Sequence, residues 1–185
     1  ISVTKPQPIS ISTLTVKLST TLYTYDGKVK KPTVSVKDSK GNKIASANYT
    51  VSYASGRKLP GTYTVKVTMK GDYTGSKTLT FSIRGKQMAI SKVSALSKGF
   101  KATWKKQSYV TGYQLQYSTS SKFTTKTTKI VKITRNTTVS KSVTKLSAAK
   151  RYYVRIRSYK TTKISGKTYT VYSVWSKAKY ITTKK

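Results

Sequence analysis

Tyr152-Tyr153-Val154-Arg155-Ile156-Arg157-Ser158 alternates apolar and polar side chains at every second position. Successive side chains of an extended backbone point to opposite faces, so this run has one apolar face only as a strand. The same alternation recurs. Tyr63, Val65, Val67 and Met69 alternate with Thr64, Lys66 and Thr68, and Leu79, Phe81 and Ile83 with Thr78, Thr80 and Ser82. Tyr113-Gln114-Leu115-Gln116-Tyr117 repeats it, and so do Phe100, Ala102 and Trp104. No segment of ten or more residues carries the 3.6-residue period of a helix, so essentially no helix is expected.

The runs are short and end in Gly, Pro, Asn or Asp. In the first half they cover Ile9–Ser19, Tyr23–Tyr25, Thr33–Lys37, Tyr49–Ala54, Gly61–Lys70 and Lys77–Ile83. In the second half they cover Ile90–Leu96, Phe100–Trp104, Tyr113–Tyr117, Thr127–Thr134, Thr137–Val143 and Tyr152–Ser158. Thr168–Thr183 follows, with an interruption expected around Ser173–Ser176. This spacing predicts an all-β chain of two immunoglobulin-like β-sandwich domains in tandem. Arg84-Gly85-Lys86-Gln87 breaks the pattern, which places the domains at residues 1–84 and 85–185. Each half is long enough for a modest core.

The missing residue types restrict the chemistry. There is no His, Cys or Glu, and the only acids are Asp26, Asp38 and Asp72. The usual zinc and transition-metal sites need His or Cys ligands, so no metal or other cofactor is expected. Ser-His-Asp and Cys-His arrangements lack their base. The three Asp residues sit in separate turn-like contexts rather than as a pair across one bond. Nothing marks one Lys among 32 as a nucleophile. The expectation is that the chain is not an enzyme.

Charge is the other strong bias. Residues 1–84 carry 14 basic and 3 acidic residues, net +11, and residues 85–185 carry 24 basic and none acidic, net +24. Such a surface concentrates polyanions and speeds their association. Candidate partners are anionic glycans, teichoic acid or an acidic protein surface. No nucleic-acid motif is present, so no specific nucleic-acid partner is expected. Lys outnumbers Arg 32 to 6. Lysine spread along strands also solubilises a sheet and blunts its edges, so a purely solvating role competes. No run of 18 apolar residues exists to span a membrane. The chain opens without Met or a leader-like segment, so it reads as a piece of a longer parent chain whose other domains are partners.

The second half resembles a fibronectin type III domain. The resemblance rests on Trp104, on the strand Gly112–Tyr117, and on Leu146 six residues before Tyr152, followed by Val154 and Ile156. In that family the corner Tyr bonds back to the backbone. Ala148 stands where Pro is usual. The first half resembles Ig-like repeats of Gram-positive surface proteins through Tyr23–Lys28, Lys31–Val34, Tyr49–Tyr53, Gly61–Val65 and Gly71–Gly75. The resemblance implies an extracellular, secreted or cell-wall-associated protein. Its tandems act as adhesive modules, as passive spacers, or as accessory domains of a larger enzyme.

Tyr172-Ser173-Val174-Trp175-Ser176 is similar to the Trp-Ser-x-Trp-Ser motif of cytokine-receptor fibronectin domains, where aromatic rings interleave with Arg side chains. Arg155 and Arg157 face outward if Val154 and Ile156 face the core. They and Trp175 are therefore candidates for a cation–π stack, structural or ligand-contacting. Tyr153, Tyr159, Tyr169 and Tyr172 are expected to cluster with them on the outer sheet face.

Overall fold

The computed structural model describes residues 6–185. Cα proximity divides the described residues into two compact units, 6–23 with Gly27–Ile83, and Thr24–Asp26 with Arg84–Lys185.

The first unit is built from β1 (Ile9–Ser10), β2 (Thr15–Leu18), β3 (Leu22–Thr24), β4 (Val34–Lys37), β5 (Tyr49–Tyr53), β6 (Gly61–Met69), β7 (Tyr73–Thr74) and β8 (Ser76–Arg84), with only the last residues of β3 and β8, Thr24 and Arg84, grouped with the second unit. One sheet runs β3-β8-β6-β5, β2 pairs with β4, and β1 joins β7 in parallel. The alternation of β6 does what the pattern requires: Val65, Val67 and Met69 are buried while Lys66 and Thr68 are exposed. Val36, Ile11, Leu14 and Val16 close the core from the other side. The parallel pairing of β1 with β7 was not foreseen, because two-residue strands leave no periodic trace.

Asp38 holds a turn. Its Oδ1 accepts from the backbone N–H groups of Lys40 and Asn42 at 2.9 and 2.8 Å, and its Oδ2 from Asn42 Nδ2 at 3.0 Å. The bonds from Asn42, with those from Lys40 and Gly41, hold the carboxyl below its usual range.

The second unit is a two-layer sandwich. Its strands are β9 (Ile90–Leu96), β10 (Gly99–Trp104), β11 (Gly112–Ser118), β12 (Thr128–Ile133), β13 (Ser140–Val143), β14 (Arg151–Ile164), β15 (Lys167–Tyr172) and β16 (Lys179–Thr182). One sheet runs β13-β10-β9, the other β12-β11-β14-β15, and β16 also pairs with β14. Phe100, Ala102, Trp104, Tyr113, Leu115, Val154 and Ile156 form the shared interior. Burying a large apolar side chain contributes about 1.5–3 kcal/mol, so these positions dominate stability. Trp104 meets Tyr113 edge-on at 5.7 Å. Tyr113 anchors two loops, its hydroxyl accepting from Gln107 N at 2.9 Å and donating to Asn136 O at 2.8 Å.

The expected corner forms: the Tyr152 hydroxyl accepts from the Ser147 N–H at 3.4 Å. Thr183 Oγ1 reinforces it by donating to Ser147 O at 2.6 Å and accepting from Lys150 N at 3.0 Å. Strand β14 runs six residues past the expected end at Ser158 and returns into β15 through Ser165 and Gly166, both at positive φ. That is the conformation of the primed two-residue turns, which match strand twist. Three short 3-10 turns, at Ile11–Thr13, Ser46–Asn48 and Thr125–Thr127, are the helical elements among the described residues. Among those residues no helix is long and apolar enough to cross a membrane.

A Cβ added at Gly112, at the start of β11, would run into the Ile133 carbonyl oxygen. Backbone cannot rotate away as a side chain can. Gly112→Ala should therefore destabilise the second unit by about 1–3 kcal/mol, read as a lower urea midpoint. An unchanged midpoint would mean that β12 shifts freely.

Candidate functional site

Val154 and Ile156 are fully buried, which turns Tyr153, Arg155, Arg157 and Tyr159 to the outer face of β14. The register sets Gln116 directly opposite Arg155 and Gln114 opposite Arg157. Arg155 Nε donates to Gln116 Oε1, and Arg157 Nε donates to Gln114 Oε1 at 2.8 Å. These bonds fix the guanidinium planes, and aromatic rings cover their faces. The Arg155 guanidinium carbon lies 4.0 Å from the Phe123 ring centre and 4.8 Å from that of Trp175. That of Arg157 lies 4.3 Å from Trp175 and 4.0 Å from Tyr172. The result is a five-member ladder: Phe123, Arg155, Trp175, Arg157, Tyr172.

The backbone after β15 explains how Trp175 reaches between two arginines. Ser173 N donates to Ser158 O at 2.9 Å, and Ser173 Oγ accepts from Ser158 N at 3.0 Å. Three residues on, Ser176 N donates to Ile156 O at 2.8 Å, and Ser176 Oγ accepts from Ile156 N at 3.0 Å. Each serine thus supplies both the donor and the acceptor that a strand would have offered through its backbone. Three residues here span two on β14. The same three-residue step sets Tyr172 and Trp175 on one side, where the arginines are. Both serines are buried, so no water takes over these bonds.

Burial lowers the pKa of both guanidinium groups, and for Arg157 the neighbouring Arg155 lowers it further while Tyr172 acts the other way. Arginine remains charged through such shifts. No side-chain carboxylate exists in residues 85–185 to neutralise either one. The ring faces and glutamine oxygens are what offset their desolvation.

The remaining expected members are dispersed. Tyr153 pairs with Tyr180 at 6.2 Å, and Arg151 lies over that same ring at 5.0 Å. Tyr159 packs on Tyr172 at 6.0 Å beneath Lys132, and only 3 % of its surface is exposed. It cannot offer a ring face to a ligand, and burial raises the pKa of its hydroxyl. The expected outer cluster is therefore corrected: Tyr172 joins the arginines, Tyr159 is packed beneath, and Tyr153 sits at a separate contact. Tyr169 has Lys167 over its ring at 5.4 Å. Phe123, Gln114 and Gln116 were missed. The two glutamines alternate with core residues on β11 and were legible as outward-facing. Phe123 sits in a loop at positive φ, and no local pattern ties it to Arg155.

Among the described residues no cluster of three or more His, Cys, Asp or Glu is assembled. The site holds cations between flat rings.

No known protein family matches the sequence, and no curated protein does. Similarity appears among solved structures. The two fibronectin type III domain segment of chicken tenascin is 15% identical with a TM-score of 0.52, over 91% of this chain and 98% of that one. The fold is fibronectin type III-like. The FN1–FN3 domains of chicken CNTN1 are 19% identical over 69% of this chain with a TM-score of 0.45, and this chain spans only 42% of that fragment. Domains A168–A170 of titin are 14% identical over 93% of this chain and 66% of theirs, with a TM-score of 0.36.

Two substitutions separate the backbone and stacking parts of the ladder. Ser176→Ala leaves the buried Ile156 N–H without its acceptor and should cost about 1–3 kcal/mol. Trp175→Ala removes two cation–π contacts at about 0.5–2 kcal/mol each. Arg157→Lys should fail to restore full stability, because an ammonium cannot lie flat between two rings. Urea denaturation reads all three, and a neutral Trp175→Ala would show the ladder to be decoration.

Proposed function

We propose that this chain is a non-catalytic, extracellular binding module of a surface or secreted protein, and that it contacts anionic glycans or cell-wall polymers through its basic surface. Residues 1–84 are read as an Ig-like repeat of Gram-positive surface type, and residues 85–185 as a fibronectin type III-like domain. One observation carries the reading: the second half presents 24 basic residues and no acidic one. Solubility needs only a modest net charge with both signs interspersed, so this one-signed surface exceeds what solvation requires. An extended, multivalent polyanion gains from many weak contacts at once.

A spacer role is the second reading, and the ladder favours it. Arg155 and Arg157 have their ring faces and Nε groups engaged within the domain, so two of its strongest anion-recognising groups serve the fold. Recognition would then fall to the lysines.

Retention on purified Gram-positive cell walls, with and without teichoic acid, and on sialylated mucin separates the two. Binding should saturate on one material at physiological salt. It should weaken steeply at about three times that salt, where the Debye length falls well below 8 Å. Equal, weak, salt-labile retention on every polyanion would favour the spacer.

A further inference from the structure

The second unit carries a concavity away from the ladder, where β12 begins and β13 ends. Its volume is about 400 Å³. That lies within the range of small-molecule sites, about 300–1,000 Å³. Tyr117 and Tyr152 line it, with ring centres 6.2 Å apart and planes inclined at 64°. Phe100 backs Tyr117 from the core at 5.7 Å, so the aromatic floor is fixed by packing. Lys126, Lys129 and Lys145 surround it.

Several features set this hollow apart from a merely basic surface. Thr127 in its wall is held by Ser118 and Thr124, each hydroxyl pair at 2.8 Å, so the wall is pre-organised. The Tyr117 hydroxyl has no hydrogen-bond partner among the described residues, although burial and the adjacent Tyr152 raise its pKa and keep it a donor. Lys145 adopts φ 60°, a left-handed conformation that costs a non-glycine residue. No side-chain carboxylate occurs in residues 85–185, so the three ammonium groups can be neutralised only from outside.

We infer that this hollow is a binding subsite for an anionic sugar residue: the ring stacks on the partly exposed Tyr117, which the buried Tyr152 braces edge-on, and its carboxylate or sulfate is held by Lys126, Lys129 and Lys145. Aromatic faces suit the apolar face of a pyranose, and lysines serve as point charges for a group whose orientation varies. The ligand class rests on the proposed reading of the chain as a polyanion binder. The subsite is a separate claim about where one unit of that polymer is gripped.

The test is NMR titration of the whole chain with a heparin hexasaccharide, a hyaluronan hexasaccharide and neutral maltohexaose at physiological salt. Saturable shifts should appear at Tyr117, Tyr152 and residues 126–129 and 144–147. A response to heparin alone assigns sulfate as the anchor, and one to hyaluronan assigns carboxylate. Lys129→Ala/Lys145→Ala should weaken binding about tenfold or more, if each lost ammonium is a direct contact. Lys163→Ala/Lys167→Ala removes the same charge at the β14–β15 hairpin and should leave affinity within about twofold if charge alone is not the determinant. Equal losses in the two variants, shifts spread over the domain, or equal binding of maltohexaose would overturn the subsite. If long heparin is retained while the hexasaccharides leave Tyr117 and Tyr152 unmoved, the subsite falls and the broader reading stands. If long heparin is not retained either, both fall.

Discussion

Strand β14 must satisfy its backbone on both edges while burying one face completely, and the second unit is arranged around that demand. On one edge it pairs with β11 from Tyr153 to Tyr159. On the other it meets β16, then the serines, then β15. An unsatisfied buried amide costs about 1–3 kcal/mol, comparable to the whole margin that a single substitution can remove. Ser173 and Ser176 close the gap between β15 and β16 with their hydroxyls. That substitution of side chain for backbone produces the three-residue step, and the step produces the ladder. Trp175 reaches Arg155 and Arg157 because of a hydrogen-bonding requirement met by its neighbours Ser173 and Ser176.

The legible part of this molecule was the part written in period two. Strands β6, β8, β10 and β11 sit close to where alternation placed them, because one-face burial leaves a local trace. The interruption around Ser173–Ser176 in the last run, Thr168–Thr183, was also expected. What could not be read was whatever depends on meeting a distant residue. Phe123 joins Arg155 from a loop more than thirty positions earlier in sequence. The burial of Tyr159 depends on Tyr172 and Lys132 arriving from two other strands. The hollow at Tyr117 is assembled from the starts and ends of several elements, each unremarkable alone.

Charge plays two different parts in the second unit. Arg155 and Arg157 have rings and glutamines as partners and are held in a fixed geometry. Nearly all lysines of this unit are exposed, in loops as well as on outward strand positions, where the ammonium stays hydrated. The distinction follows from chemistry: a planar, weakly hydrated cation stacks, and a compact, strongly hydrated one does not. It also explains why few arginines suffice for the ladder while lysine makes the surface.

The serine-bridged gap has a further consequence for how such a domain coexists with copies of itself. An uninterrupted β15–β16 edge would present a straight row of unpaired amides and carbonyls to any passing strand, the template from which sheets extend between molecules. Across residues 173–178 that row is broken, because Ser173 and Ser176 turn their hydrogen-bonding groups inward and the local repeat no longer matches an incoming partner. The same few residues that finish one sheet therefore keep it from recruiting the next. In a protein that strings similar domains at high local concentration, that insulation lets each fold remain a separate unit.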